Sequence, residues 1–210
     1  MDPSTRDALE ARIRAACQAG EKKEAATALL EGYGQELLGF LIAHLRDREA
    51  AAEVFSQFTE DLWRGLDKFR WQCTARVWSY TLLRNAATRH ANDARKRRAR
   101  NVPLSRAGPL SEIEQKIRTA TLTAARTETK SKVARLRESL CPEDQSLLVL
   151  RVNRKLGWKE IAQVMFHDGE ASDDEVLARE ATRLRQRYQG IKEKLRRMAQ
   201  EQGIVPSDDN

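Results

Sequence analysis

Aromatic and basic residues alternate at the start of the segment 67–100, and a basic run ends it. The residues concerned at its start are Phe69, Arg70, Trp71, Arg76, Trp78 and Tyr80. Cations neutralise phosphates whatever the base sequence, and exposed aromatic rings stack on unpaired bases. The segment therefore predicts contact with a nucleic-acid strand that is leaving a duplex. The alternative interpretation is that Trp78 and Tyr80 are core residues of a helix with a solvated basic end.

The net charge of +7 is unevenly distributed along the 210 residues. Residues 1–66 carry 8 basic against 12 acidic side chains, whereas 89–106 carry 7 against 1 and 175–197 carry 8 against 3. An acidic beginning followed by two separate basic stretches predicts two contacts with a polyanion. A membrane surface is the weaker candidate, because neither stretch has the broad apolar face of a helix that inserts.

Catalytic and metal-binding patterns are missing from the sequence. The three histidines, His44, His90 and His167, are isolated from one another, and the sequence has no HExxH motif and no Gly-rich phosphate loop. A nuclease centred on His90 is the enzyme alternative. The three cysteines are far apart without a CxxC pair, which argues against a disulfide scaffold or a zinc site. We expect a cytoplasmic, non-enzymatic protein without cofactor, metal or membrane insertion.

Apolar residues recur at three- and four-residue steps through most of the chain, and no window alternates as a strand would. The pattern predicts an all-α fold. Around 99–126 the apolar residues become sparse and Pro103 and Pro109 appear, so we expect a flexible linker, with at most one weak helix begun by a Ser111–Glu114 capping box. The predicted organisation is two small helical domains, 1–98 and 127–203, followed by a disordered tail, 204–210.

The second predicted domain has the pattern of a helix-turn-helix. A helix starting at Pro142 is followed by the stretch LGWKEIAQVM, with Ile161, Ala162 and Met165 expected to point inward. A second capping box, Ser172 to Glu175, then begins one long helix with an apolar stripe from Leu177 to Met198. The basic residues of this helix lie off the stripe, which is how a recognition helix presents arginines to phosphates and guanine edges. A plain amphipathic or coiled-coil helix is the alternative.

Taken together, these blocks resemble an extracytoplasmic-function (ECF) sigma factor, the compact branch of the sigma-70 family of bacterial transcription initiation factors. The most specific match is the W-x-Y-x-x-x-R-N core, which is similar to regions 2.3 and 2.4. The string EVFSQFTEDLWRGLDKFR resembles the region 2.2 helix, and LCPEDQSLLVLRVNRKLGWKEIAQVM resembles the start of region 4. The resemblance covers nearly the whole chain except the predicted linker.

The resemblance implies three sets of contact residues. Core polymerase would dock on one side of a helix through Glu53, Gln57 and Asp61. The −10 element would be recognised and opened by Arg70, Trp71, Gln72, Arg76, Trp78, Tyr80, Arg84, Asn85 and Arg89, of which Trp78 and Tyr80 would support the base-holding loop from the core side. The −35 element would be contacted by Lys159, Arg179, Arg183, Arg185, Gln186 and Arg187, with Arg179 expected to touch at most a phosphate.

The implied partners are the β′ and β subunits of core RNA polymerase and promoter DNA, with an anti-sigma factor as a further candidate. The competing interpretation is an operator-binding helix-turn-helix regulator that dimerises through the C-terminal helix. That regulator would bind palindromic DNA without polymerase, whereas a sigma factor would bind DNA weakly until polymerase is present.

Overall fold

The computed structural model of the chain describes residues 2–97, 110–127, 136–137, 139–166 and 173–204. Within these ranges every regular element is a helix and no strand occurs, so the all-α prediction is confirmed. The helices are α1 (Pro3–Gln18), α2 (Lys22–Leu45), α3 (Arg48–Gly65), α4 (Ala75–Arg97), α5 (Ser111–Thr127), α6 (Pro142–Leu148), α7 (Trp158–Phe166) and α8 (Asp174–Glu201). A 3₁₀ turn, Leu66–Lys68, follows α3, and a π-helical turn, Val149–Asn153, follows α6.

Helix α2 lies at the centre of the molecule. It packs against α1, α3, α4, α5 and α6, and its buried residues extend around most of its circumference rather than along one stripe. A helix that is apolar on nearly all sides must be surrounded by other elements. The fold is therefore organised around α2.

A carboxylate from α1 fixes the start of α4. Glu10 accepts hydrogen bonds from the backbone N–H groups of Ala75 (2.7 Å) and Arg76 (3.0 Å) and from the hydroxyl of Tyr33 (2.8 Å). The first amides of a helix have no partner within the helix, and the positive end of its dipole favours a carboxylate. Thr74 adds a second cap by accepting from the N–H of Val77 at 3.2 Å.

Helix α5 falls in the segment predicted as a linker, and it packs against α2 and α3. Ile117 of α5 lies against Gly34 of α2, where a Cβ atom would approach its Cδ1 to 2.3 Å. On the α3 side, the Glu114 carboxylate accepts from the hydroxyls of Ser56 and Thr59. These contacts account for a helix there despite the sparse apolar residues. The rest of the predicted linker, 99–109, lies outside the described residues.

The two halves of the chain contact each other through polar groups at the end of α2. Arg46, in the left-handed region at φ 57°, donates to the carbonyl of Leu140 and to Gln145 Oε1. His44 Nδ1 lies 2.7 Å from Ser146 Oγ. Burial lowers the pKa of His44.

The buried apolar residues of both halves form one continuous cluster. The predicted separation into two domains with a mobile linker is therefore not confirmed.

Replacing Gly34 should dislodge α5 specifically. Gly34→Leu should lower the free energy of unfolding by about 1–3 kcal/mol, because the new side chain and Ile117 cannot share the space. Limited proteolysis should then cut within 111–127 earlier than in the wild type. Combining it with Ile117→Ala should restore part of the protection. Gly190→Ala on α8, where nothing lies within 4 Å of a new Cβ atom, serves as the control and should not expose α5.

Candidate nucleic-acid and partner interfaces

The loop between the 3₁₀ turn and α4 holds Trp71 in an uncommon conformation. Trp71 has φ 57°, a left-handed backbone that costs about 1–2 kcal/mol in an L-residue. Its ring lies 4.7 Å from the ring of Phe69, which stacks at 4.5 Å on Trp78, and the Arg14 guanidinium lies 5.5 Å from the Trp71 ring. A strained bulky residue held by its neighbours is a reason to look for a function at that position.

An open cleft of about 150 Å³ adjoins this loop. Phe69 and Trp71 form its apolar side, and the ion pair between Lys22 and Asp67 forms its polar side. Cys17 also lines the cleft, and burial, aided by the Asp67 charge, raises the pKa of its thiol. Arg70 and Gln72, on either side of Trp71, are exposed. The cleft thus has aromatic side chains, Phe69 and Trp71, and charged side chains, Lys22 and Asp67, that can hydrogen-bond to a planar ligand.

Three of the residues assigned to −10 recognition are buried. Arg76 is 4 % exposed and Tyr80 fully buried, while Trp78 is 7 % exposed. Burial raises the pKa of Tyr80. The direct base contact predicted for Arg76 is corrected to a structural role, because its side chain faces the core. Trp78 and Tyr80 lie on the core side, from which the resemblance implies that they support the loop. This agrees with the alternative interpretation of Trp78 and Tyr80.

Arg76 belongs to a buried cluster that joins the two halves. Its Nε and Nη2 atoms donate to the Glu36 carboxylate at 2.6 and 3.0 Å, and Nη2 also donates to the Arg154 carbonyl at 3.0 Å. Arg154 in turn donates from Nη2 to the Glu36 carbonyl at 2.9 Å. Burial alone would lower the pKa of Arg76, but the hydrogen bonds and charge of Glu36 outweigh it and raise the pKa. Sequence reasoning missed Glu36 and Arg154, which belong to no motif.

The cluster around Arg76 contains more positive than negative groups, and in the described part of the chain some of its hydrogen-bond donors have no acceptor. The Glu36 carboxylate pairs with Arg76, whereas the Arg154 guanidinium bonds to the Glu36 backbone carbonyl. Within the described residues neither the buried Nε of Arg154 nor the buried hydroxyl of Tyr80 has a hydrogen-bond partner. Buried polar groups without partners are costly. The interface between the halves is accordingly less stable than its apolar contacts alone would make it.

The predicted polymerase-docking residues lie along one side of α3, as their spacing requires. Gln57 Nε2 donates to Asp61 Oδ1 at 3.2 Å, and Asp61 also pairs with Arg89 of α4. Glu53 Oε2 lies 3.3 Å from His90 Nε2. The same helix therefore presents its carboxylates next to cationic or titratable groups of α4. We refer to Glu53, Gln57 and Asp61 as the α3 acidic strip.

The remaining predicted −10 residues lie on α4. Arg84 and Asn85 are partly buried, and Arg89 is exposed. The side chains of the basic run 95–100 lie outside the described residues. Among the predicted −10 contacts, Arg70, Gln72 and Arg89 are thus the most accessible ones.

Helices α7 and α8 pack together in the predicted order, with Ile161, Ala162 and Met165 buried. Asp173 caps α8 by accepting from the N–H of Glu175 at 3.1 Å, whereas the predicted cap Ser172 lies outside the described residues. Lys159 of α7 pairs with Asp174 at 2.8 Å. This ion pair ties the first turns of the two helices together.

The predicted −35 residues of α8 fall into two groups. Arg179, Arg183 and Gln186 are exposed on the side opposite the buried Leu184 and Ile191. Arg183 also pairs with Glu180 at 2.7 Å.

Arg185 and Arg187 are also exposed, but they lie closer to the apolar stripe and contact side chains of α6 and α7. The Arg185 guanidinium lies 5.8 Å from the ring centroid of Trp158, and Arg187 Nε lies 2.6 Å from Asp144 Oδ1. Thr182 and Gln189 share the outer face and were missed. Their spacing of three and four residues from Gln186 is the signal that could have found them.

Comparisons with known proteins add no relative: no family model, curated protein or solved structure matches this chain. No helix in the described ranges is long and apolar enough to cross a membrane. Among the same residues, no cluster of His, Cys, Asp or Glu side chains has the composition of a metal site.

Proposed function

We propose that this protein is a transcription initiation factor of the ECF sigma type, which binds core RNA polymerase and directs it to promoters. The observation that supports this best is the loop at Trp71, where a strained aromatic residue lines a cleft and its two sequence neighbours, Arg70 and Gln72, are exposed. An unpaired base can stack on such a ring while the flanking polar groups pair with its edge. The loop would hold a base flipped out of the −10 element.

The acidic strip and the helix pair α7–α8 support the same proposal. A strip of carboxylates on α3 suits a basic partner surface better than it suits DNA. The outer face of α8, with Arg179, Arg183 and Gln186, suits the major groove of a −35 element. An arginine and a glutamine one turn apart can read guanine and adenine edges respectively.

This function requires the two halves to separate. Elements named −35 and −10 lie about 25 base pairs apart, which is about 85 Å of duplex at 3.4 Å per base pair. A compact chain of 210 residues has a radius of gyration of about 17 Å and so a diameter of about 43 Å. The closed arrangement cannot place the Trp71 loop and α8 on both elements together. The unsatisfied donors at the interface make its opening less costly.

The operator-binding alternative has little structural support. A dimer through the C-terminal helix needs its apolar stripe to be free, but Ala181, Leu184 and Ile191 are buried, and α8 packs against α6 and α7 of the same chain. The apolar stripe of α8 is therefore covered by helices of the same chain.

Run-off transcription with purified core polymerase over a library of promoters tests the proposed function. Polymerase should initiate at defined sites only when the protein is added, and Trp71→Ala should impair strand opening while duplex binding stays nearly unchanged. The conservative Trp71→Phe should keep most of the opening, because a ring face remains. Equal melting temperatures for the three proteins are the control. A loss of opening that follows a lowered melting temperature would instead assign Trp71 to the core.

A further inference from the structure

An ion pair between α3 and α4 joins the two sets of predicted contact residues. Asp61, from the α3 acidic strip, pairs with Arg89, which belongs to the predicted −10 contacts on α4. The Arg89 side chain is 53 % exposed and that of Asp61 is 21 % exposed, so Arg89 can leave the pair and solvate while Asp61 stays at the helix surface. Asp61 thus neutralises the Arg89 guanidinium, to which a DNA phosphate would also bind.

The two helices do not depend on this pair for their packing. Val54 and Phe58 of α3 are buried, as are Leu83 and Ala86 of α4, and the two helices pack against each other. A partly exposed ion pair on top of such a core adds little stability. The Asp61–Arg89 pair therefore matters mainly for the charge that this surface presents to a binding partner.

A cationic side chain that binds Asp61 competes with Arg89 for the carboxylate. A phosphate that binds Arg89 competes with Asp61 for the guanidinium and is repelled by the Asp61 charge. A cation on Asp61 therefore makes Arg89 more available to phosphate, and a phosphate on Arg89 makes Asp61 more available to the cation. The two binding events strengthen each other by the same factor, as thermodynamic linkage requires.

We propose that the Asp61–Arg89 pair is an exchange switch: a basic partner surface that takes Asp61 releases Arg89 to a DNA phosphate. The proposal rests on the proposed function for the identity of the partner, which is core polymerase. It explains in part how weak DNA binding by the free protein would strengthen after docking. Partly exposed ion pairs limit the coupling to about two- to fivefold in affinity.

The switch is tested on the free full-length protein, without polymerase. The probe is a fluorescein-labelled DNA strand, and anisotropy is measured across a salt series. Asp61→Asn should bind it about two- to fivefold more tightly. The slope of log affinity against log salt should steepen by up to about 0.7, the value for one additional phosphate contact on a single strand.

Two further proteins separate release of Arg89 from a general change in charge. Glu24→Gln loses one carboxylate and frees Arg12 from a similar exposed pair between α1 and α2, so it should bind DNA as the wild type does. In the Arg89→Gln background, Asp61→Asn should have no effect. The proposal is overturned if Asp61→Asn tightens binding equally in that background, if Glu24→Gln matches it, or if Asp61→Asn changes nothing.

The same pair can be tested from the partner's side. Arg89→Gln leaves Asp61 without its internal competitor and should bind core polymerase about two- to fivefold more tightly than the wild type. If the wild type binds no polymerase, the proposed function fails, whereas the DNA measurements decide separately whether Asp61 restrains Arg89. If the wild type binds polymerase and Arg89→Gln binds no more tightly, the exchange is overturned while the proposed function stands.

Discussion

Glu36→Gln should lower the free energy of unfolding by about 3–5 kcal/mol, because it leaves a buried guanidinium without its carboxylate. Arg76 is only 4 % exposed and donates two side-chain hydrogen bonds to the Glu36 carboxylate and a third to the Arg154 carbonyl. The neighbouring Arg154 already lacks a partner for its Nε atom. Urea unfolding followed by far-UV circular dichroism measures the change.

The matched control for this prediction is Glu24→Gln. Its partner Arg12 is 54 % exposed, and removing such a surface pair changes the free energy of unfolding much less than removing a buried one. Equal losses for the two variants would contradict the assignment of Glu36 as the counter-ion on which the cluster depends. A smaller loss for Glu36→Gln than for the control would mean that water solvates Arg76.

Reversing two charges of the α3 acidic strip should abolish co-purification with core polymerase. In Glu53→Lys combined with Asp61→Lys, two carboxylates become cations on the side of the helix where a basic partner would dock, and like charges placed against each other disfavour the complex. The measurement is retention of polymerase on the tagged protein at moderate salt, with the melting temperature as a folding check.

A charge-matched control separates a local effect from a general one. Asp7→Lys combined with Glu24→Lys makes the same change in net charge on exposed positions of α1 and α2. This control should retain polymerase. If the strip variant also retains it, the docking surface lies elsewhere on the molecule.

Local periodicity made the helices of the second half predictable. Pro142 begins α6, Ile161 and Met165 point inward, and one long helix closes the described chain. Each of these features depends on residues within one or two turns of each other, so the sequence contains the information directly. The side of α3 that carries Glu53, Gln57 and Asp61 was predictable for the same reason.

The partners of the charged residues were not predictable in this way. Arg76 meets Glu36 across 40 residues and Arg187 meets Asp144 across 43, and only the packing of whole helices decides such encounters. In the sequence, an arginine next to aromatic residues predicts a nucleic-acid contact, whether the folded chain places its side chain on the surface or in the core. Helix α5 was underestimated because its stability comes from Gly34, Ser56 and Thr59 on other helices.

The long-range contacts made by the second half of α2 have a consequence for synthesis of the chain. Glu36 and His44 bond to residues 118 and 102 positions later. A ribosome adding about 5–20 residues per second needs about 6–24 s to make 118 residues. During that time the side of α2 that α6 and Arg154 will cover is not yet packed, and chaperones have a defined interval in which to bind it. A synonymous codon change that slows translation between 46 and 140 would lengthen that interval without altering any residue.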